Sequence, residues 1–330
     1  MIKRKTLVVE RNILSLNWLK NDLVDWISGD VYSLNGESHS NNKCYDYYKF
    51  DACIQSDNGV YAVIYEKLGT KALLLKKGEI LRELNRSFYQ ADIYEYPVCF
   101  LQINKKYFIV HCPNNYNQIE IEDIETGTNI IDEKNRTLSD CFYSRLKINN
   151  ANSILVNTGW IWHPADIINI YDIEKILADI SFLDTSPINP IFNAEICSAE
   201  FLTDDLLIIA SSNEEAFDDT LESDPSVLNP NQIGIFSIKE NKFIKKINVK
   251  YALGTLIPVD ENYVIDLYDY PKLIDINSGK IIQHFKDINS GKQNSSIIHH
   301  IEKIPPIAVD CINKRIAIVN NNNIEILMYG

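Results

Sequence analysis

The side chains best suited to chemistry or recognition in this 330-residue chain are concentrated in two short stretches. GWIWHPAD (159–166) contains two of the four tryptophans, a histidine and an aspartate, and HCPNNYN (111–117) contains a histidine, a cysteine and a tyrosine. Imidazole and carboxylate groups are the common proton donors and acceptors of active sites, whereas indole rings line pockets or pack neighbouring loops together. These residue types favour either an active site or a recognition surface.

The spacing of these residues matches no established catalytic motif. The chain contains no GxSxG, HExxH, GxxxxGK[ST] or GxGxxG, which removes the common hydrolase, zinc protease and phosphate-loop interpretations. His111 and Cys112 are adjacent, and neighbours in a strand point to opposite faces, which argues against an activated thiol. Glu95, Asp92 and Arg145 could perform acid–base chemistry, but charged loop residues usually contact only water. We predict no catalytic residue and no cofactor, and we lean towards a non-enzymatic protein.

Four of the six histidines could converge on one face of the fold, since separate elements can supply ligands to one metal ion: His111, His163, His299 and His300. A metal site usually needs three or four ligands, and the local ligand spacing of known metal motifs is missing here. We therefore predict no metal site.

The composition restricts the compartment and the class of partner. The formal net charge of -13 repels phosphate backbones, which argues against nucleic acid as a partner. Seven cysteines form no CxxC pair, as is typical of reduced thiols in a cytosolic protein. The first apolar run is too short for a signal peptide, and no stretch reaches the roughly 18 apolar residues of a membrane span. We predict a cytoplasmic protein that binds neither nucleic acid nor membrane.

A repeated strand pattern runs through the chain. NQIEIEDIETG (117–127), DIINIYDIEKI (166–176) and NQIGIFSIKEN (231–241) each alternate apolar and polar residues and then turn at a polar cluster. Further strand-like runs precede each copy, and seven such units of roughly 40 to 50 residues fill the chain. Only YDIEKILADISFLD (171–184) has helical spacing. The pattern predicts an all-β, seven-bladed propeller of four-stranded antiparallel blades, forming a single domain over residues 1–330.

The last unit has three strand-like runs, and KTLVVE (5–10) is predicted to supply its fourth strand and so close the ring. This arrangement resembles the WD40-like β-propellers, although the WD and GH signatures of that repeat are absent. GWIWHPAD together with HCPNNYN also resembles uncharacterised bacterial propeller proteins. The resemblance implies the fold and no activity. A pair of β-domains is the alternative fold, and seven similar units favour the propeller over it.

A blade built as a meander of strands A, B, C and D sorts its loops between two ends. The A–B and C–D turns lie at one end, and the B–C loops and D-to-A connections lie at the other, which we call the B–C face. We favour a packing role for Trp160, leave Trp162 and His163 open between packing and binding, and expect Asp166 either to orient His163 or to bind loop amides. The predicted partner-binding residues on this face are Tyr89, Asp92, Tyr94, His111, Tyr116, Trp162, His163, Asp166, Glu214, Glu215, Phe217, Asp218, Asp219, Tyr270 and His299.

An acidic insertion occupies residues 211–232, with six carboxylates and no lysine or arginine between them. It is either a solvated, mobile insertion or an arm that grips a basic protein, with Phe217 and Leu221 docking as it orders. Three functional hypotheses follow. The first is a protein-binding propeller with a basic partner, in its sharper form an immunity or antitoxin protein that occludes a basic toxin. The second is an enzyme or small-ligand binder at the mouth of the channel, and the third is a purely structural subunit.

Overall fold

The computed structural model describes residues 1–131, 136–162, 165–185, 187–297, 301–302 and 304–330, with Asp219, Ile301 and Glu302 described by their backbone alone. Seven antiparallel sheets are arranged in a ring, so the predicted seven-bladed β-propeller is confirmed. The described part of the chain contains no helix that is long and apolar enough to cross a membrane.

The strands follow one another blade by blade along the chain. The first strand, β1 (Lys3–Val8), belongs to the last blade. Blade 1 contains β2 (Asn17–Leu19), β3 (Asp22–Asp25), β4 (Asp30–Ser33) and β5 (Ser38–Ser40). Blade 2 contains β6 (Ala52–Gln55), β7 (Tyr61–Tyr65), β8 (Lys71–Lys76) and β9 (Glu79–Asn85). Blade 3 contains β10 (Val98–Ile103), β11 (Lys106–His111) and β12 (Glu120–Asp123).

The second half of the ring begins with an irregular blade. Blade 4 contains β13 (Cys141–Phe142), β14 (Lys147–Ile148), β15 (Ile154–Ile161) and β16 (Ala165–Asp172), followed by α1 (Ile173–Ala178) and α2 (Phe182–Thr185). Blade 5 contains β17 (Ile196–Phe201), β18 (Leu206–Ser211), β19 (Gln232–Ser237) and β20 (Lys242–Asn248), with a 3-10 turn at Asp219–Leu221. Blade 6 contains β21 (Leu256–Pro258), β22 (Tyr263–Asp266), β23 (Lys272–Asp275) and β24 (Lys280–His284). A small hairpin, β25 (Lys292–Gln293) and β26 (Ile301–Glu302), precedes blade 7, which contains β27 (Ile307–Asp310), β28 (Arg315–Asn320) and β29 (Asn323–Met328).

The two ends of the chain meet in blade 7. Strand β1 pairs antiparallel with β29 over its whole length, from Lys3 opposite Met328 to Val8 opposite Asn323. The sheet order β1-β29-β28-β27 therefore confirms that the N-terminal strand supplies the outer strand of the last blade. This pairing covers the edge of β29 that would otherwise be open to a second chain.

The apolar core lies in layers between neighbouring blades. Inner strands such as β7, β18 and β28 are buried on both sides because each blade is packed between two others. One cluster joins blades 5 and 6 through Ile208, Ile233, Leu256 and Val264. Loops at the two ends of the ring are therefore held by a rigid scaffold.

Blades 3 and 4 depart from the predicted four-strand meander. Strands β13 and β14 both pair with β15, so they are two pieces of one broken A strand. After the C strand β16, helix α1 begins with its backbone capped by Asp172, and Ile176 and Leu183 pack into the core shared by blades 3 and 4. The predicted helical stretch thus forms two short helices, and Ile188, which follows them, pairs with Ile170 of β16.

Glycine closes the turn that follows the C strand in blades 3 and 6. Gly127 has φ +71 and Gly279 has φ +67, and each donates its N–H to the backbone carbonyl oxygen of the aspartate four residues earlier. A Cβ atom on Gly279 would lie 2.6 Å from the carbonyl oxygen of Asn248, so both the conformation and the neighbouring blade require glycine there.

Candidate functional site

Five aromatic rings form a cluster on the B–C face, where the first strand of blade 4 ends. Phe142 is fully buried, with its ring centroid 4.0 Å from that of Trp160 at an interplanar angle of 8° and 4.3 Å from that of Tyr116. Tyr89 lies beside this stack, 5.0 Å from Tyr116, and Tyr94 packs edge-on against Phe142 at 5.4 Å. We call these five rings the aromatic stack. Its rings come from four separate parts of the chain, and it places Tyr89, Tyr94 and Tyr116 together as a predicted site requires.

Trp162 lies against the aromatic stack from the side. Its centroid is 5.3 Å from Trp160 and 5.5 Å from Phe142, at interplanar angles of 80° and 86°. Trp162 is 39% exposed and Tyr89 is 46% exposed, whereas Trp160 and Tyr94 are buried. The packing role predicted for Trp160 is therefore seen directly, and the exposed edge of the cluster is formed by Trp162 and Tyr89.

Local strand geometry explains how GWIWHPAD reaches this position. Strand β15 continues to Ile161 and β16 starts at Ala165, so Trp160 and Asp166 are paired strand residues and only 162–164 connect the strands. The sequence pattern predicted that GWIWHPAD is a loop, but five of its eight residues belong to strands β15 and β16. A Cβ on Gly159 would lie 2.0 Å from the carbonyl oxygen of Phe142, so glycine lets β13 approach β15 closely enough for the rings to stack.

Asp166 joins three elements below the exposed rings. Its carboxylate accepts the backbone N–H of Ile196 at 3.0 Å and of Ser296 at 3.1 Å, together with the Ser296 hydroxyl. Its own N–H donates to the Glu195 carboxyl at 2.9 Å. Of the two roles predicted for Asp166, the structure shows the binding of backbone amides. We call this set of contacts the Asp166 clasp.

The Glu195 carboxyl in this clasp holds its proton unusually strongly. Burial raises the pKa of Glu195, and the neighbouring Asp166 charge and its hydrogen bond raise it further, to about 8. Two carboxyl groups that share a site cannot both ionise at low cost, so one remains protonated near neutral pH. The Glu195 carboxyl is therefore mostly protonated, and uncharged, at pH 7.

The stability of the protein should consequently fall as pH rises between 4.5 and 8. In this window the folded state keeps the Glu195 proton while the unfolded state, with the ordinary pKa of 4.5, has lost it. The expected contribution is a loss of at most about 1.4 kcal/mol in the free energy of unfolding per pH unit. Denaturant unfolding at pH 5, 6, 7 and 8 should show this slope in the wild type and a shallower one in Glu195→Gln. Parallel curves for the two proteins would show that Glu195 titrates normally.

The connection from blade 6 to blade 7 contacts blades 3 and 4 as well as blade 6. Gly291 bridges to Asp269 of blade 6, whereas Ile297 bridges to Tyr94 at the entrance of blade 3. The Ser296 hydroxyl also donates to the carbonyl oxygen of Gly159 at 3.1 Å in blade 4. This crossing segment (residues 289–297) therefore links blade 6 with the entrance of blade 3 and with blade 4.

The acidic insertion is attached to the connection between blades 4 and 5. Its first residues are tied to the blade 4–blade 5 connection, since Ser212 N–H donates to the Glu195 carbonyl oxygen at 2.8 Å. Asn193 exchanges two side-chain hydrogen bonds of 2.8 Å with the backbone of Asp218. Glu214, Glu215, Phe217 and Asp218 are exposed. The insertion is thus attached along its length to blade 5 and presents its carboxylates on the B–C face.

The remaining predicted residues are not part of this assembly. His111 is buried at the end of β11, with Nε2 2.9 Å from the carboxylate of Glu122, so it lies inside blade 3 rather than on its loop. Hydrogen bonds from His111 and Arg82 outweigh burial and lower the pKa of Glu122. Tyr270 lies on blade 6, with its ring 4.5 Å from the buried ammonium of Lys272.

Of the other predicted residues, the structure describes Asp92 but only some of the rest. Asp92 is exposed on the connection that carries Tyr89 and Tyr94. His163 and His299 lie outside the described residues, and the Asp219 side chain is likewise not described. Within the described residues, no group of three histidine, cysteine, aspartate or glutamate side chains is arranged to hold a metal ion.

Sequence reasoning missed four residues on which the site depends: Phe142, Asp140, Glu195 and Ser296. Asp140 is exposed and accepts the Tyr116 hydroxyl at 2.6 Å, and burial together with this hydrogen bond raises the pKa of Tyr116 to about 12. The four residues come from three separated segments, and none carries a local motif. The sequence feature that could have pointed to Asp140 and Phe142 is the Asp-Cys-Phe run at residues 140–142. This run predicts a strand and gives no indication of a binding site.

Comparison with known proteins supports the fold alone. No protein-family model matches the chain, and no curated protein matches it. Among solved structures, the crystal structure of the computationally designed Ika8 protein is similar, with a TM-score of 0.52 and 13% sequence identity over 98% of this chain and 99% of that chain. The similarity agrees with a propeller architecture and carries no information on activity.

Proposed function

We propose that this protein is a cytoplasmic, WD40-like propeller of bacterial type that binds another protein through its B–C face. The observation that carries the proposal is the exposed pair Tyr89 and Trp162, which rests on a rigid buried base. Exposed aromatic side chains with fixed positions are typical anchors of protein interfaces, because little side-chain entropy is lost when they are buried.

Charge indicates the kind of partner. The chain has a net charge of -13, and the acidic insertion adds exposed carboxylates in the B–C loop of blade 5. Glu214, Glu215 and Glu222 line an open, polar depression on this insertion. A basic protein would be attracted to such a surface, and its association should slow as salt screens the charges. In the sharper form of the proposal the partner is a basic toxin that this protein occludes.

Affinity capture from the native cytoplasm, followed by titration of the purified captured protein, tests the proposal. The variants are Trp162→Ala and deletion of residues 213–225. Ile312→Ala is the matched control, because Ile312 is a 91% exposed apolar side chain in an A–B turn at the opposite end of the ring. We expect one basic protein whose affinity falls at least tenfold in both variants and not in the control.

Two results would contradict the proposal: no protein captured directly, or a captured protein that binds all variants equally. The toxin form has its own test, in which co-expression of the wild type, and not of Trp162→Ala, restores growth to cells producing the partner. A partner without any toxic effect would refute that form and leave the binding function intact.

A further inference from the structure

The indole of Trp162 has one face packed and one face directed outward. Both faces of the Phe142 ring are covered, by Trp160 at 4.0 Å and by Tyr116 at 4.3 Å, so Trp162 must contact the edge of the stack. It lies almost equally far from Trp160 and Phe142 and nearly perpendicular to both, which places its flat face on their edges. The opposite indole face therefore accounts for the 39% exposure of this residue.

The exposed Asp140 carboxylate is at the same end of the β13–β15 pair as Trp162. Strands β13 and β15 pair Phe142 with Trp160 and Cys141 with Ile161. Asp140 immediately precedes β13 and Trp162 immediately follows β15, so the two residues flank this pair. Both contact the aromatic stack, since Asp140 accepts the Tyr116 hydroxyl at 2.6 Å and the Trp162 ring centroid is 5.5 Å from that of Phe142.

An exposed ring face next to a carboxylate is suited to a planar cation. The ring quadrupole attracts a positive charge above its face, and a guanidinium can stack on an indole while its N–H groups donate to a carboxylate. A lysine ammonium can make the charge interaction but cannot stack, and a neutral side chain can make neither. Asp92 and Glu214 add exposed carboxylates to the loops of the B–C face, and this negative charge disfavours an anionic ligand.

We propose that the B–C face recognises an arginine side chain of its protein partner, with the guanidinium on the outward face of Trp162 and paired with Asp140. This inference deepens the proposed function and rests on it. Arginine anchoring on Trp162 supplies specificity, and the acidic insertion supplies long-range attraction.

Short synthetic peptides test the anchor without knowledge of the partner. Three peptides of equal length carry four repeats of arginine–glycine, lysine–glycine or citrulline–glycine, and their affinities are measured by titration at physiological salt. The wild type is expected to bind the arginine peptide about five- to tenfold more tightly than the lysine peptide, and the citrulline peptide more weakly than both.

Matched variants separate stacking from general attraction. Trp162→Leu and Asp140→Asn should each weaken binding of the arginine peptide about five- to tenfold and bring it to the level of the lysine peptide. Trp162→Phe should retain an intermediate affinity, and Ile312→Ala should bind as the wild type does. Retained circular dichroism and unchanged unfolding midpoints verify that the variants are folded.

The outcomes distinguish the anchor from the binding function. Equal affinity for arginine and lysine peptides, or no effect of Trp162→Leu on a folded protein, would overturn the arginine inference. If binding of the captured partner then still depended on the B–C face, the proposed function would stand without the arginine inference. If the peptides discriminated as expected and arginine-to-lysine changes in the captured partner weakened its binding, both would be supported.

Discussion

Replacing Phe142 with alanine is expected to lower the free energy of unfolding by about 3–5 kcal/mol, because a fully buried phenylalanine leaves a cavity that the neighbours cannot fill. Phe142 contacts Trp160 and Tyr116 on its two faces and Tyr94 on its edge, so the loss disrupts the whole aromatic stack. Guanidinium chloride unfolding measures the change. Partner binding should fall with it, because Trp162 loses the edge against which it packs.

The matched change Phe142→Leu keeps most of the buried volume and removes the stacking. Its expected cost is less than about 1.5 kcal/mol, the usual range for exchanges of similar size in a core. If Phe142→Ala and Phe142→Leu were equally mild, the stack would be a surface feature and not the base of the site.

Replacing Asp166 with alanine is expected to cost about 3–5 kcal/mol, because the backbone N–H groups of Ile196 and Ser296 and the Ser296 hydroxyl lose their acceptor while buried. Removal of the neighbouring charge should also lower the pKa of Glu195 from about 8, although its burial remains. Denaturant unfolding measures the first effect and carboxyl chemical shifts measure the second. Amide hydrogen exchange at Ser296 should accelerate most, since that residue then loses its anchor to blade 4.

Asp166→Asn serves as the control, since its remaining oxygen can accept part of these hydrogen bonds without the charge. It should be less destabilising than Asp166→Ala and should lower the pKa of Glu195 in the same direction. An unchanged exchange rate at Ser296 in Asp166→Ala would show that the crossing segment is held by other contacts, such as the Ile297 pairing with Tyr94.

These two experiments connect the scaffold with the proposed function. The Asp166 clasp holds the crossing segment and the entrance of blade 5 in place. The buried rings of the aromatic stack hold Trp162 and Tyr89 in place. Both the clasp and the stack lie at the end of blade 4 that belongs to the B–C face. The rings can stack there because the A strand of this blade is broken and because β13 approaches β15 closely at Gly159. The least regular blade of the ring therefore carries the candidate binding surface.

The sequence by itself determined the architecture, because alternation at period two and turn residues such as Gly127 and Gly279 are local properties. Seven repeats of this pattern leave few folds that bury the inner strands on both sides. The closing role of residues 5–10 followed from counting strands in the last unit. The prediction of Trp160 as a packing residue followed from its apolar neighbours.

The composition of the site was decided only by the tertiary structure. Phe142 stacks between Trp160 and Tyr116 because blade packing brings three distant segments together, and no spacing along the chain encodes that contact. His111 is buried because β11 includes it and Glu122 of the next strand pairs with its imidazole, which a loop assignment could not foresee. The pKa of Glu195 likewise depends on burial beside Asp166, 29 residues away along the chain. Contacts between blades arise from the ring as a whole, whereas strand patterns arise from each segment alone.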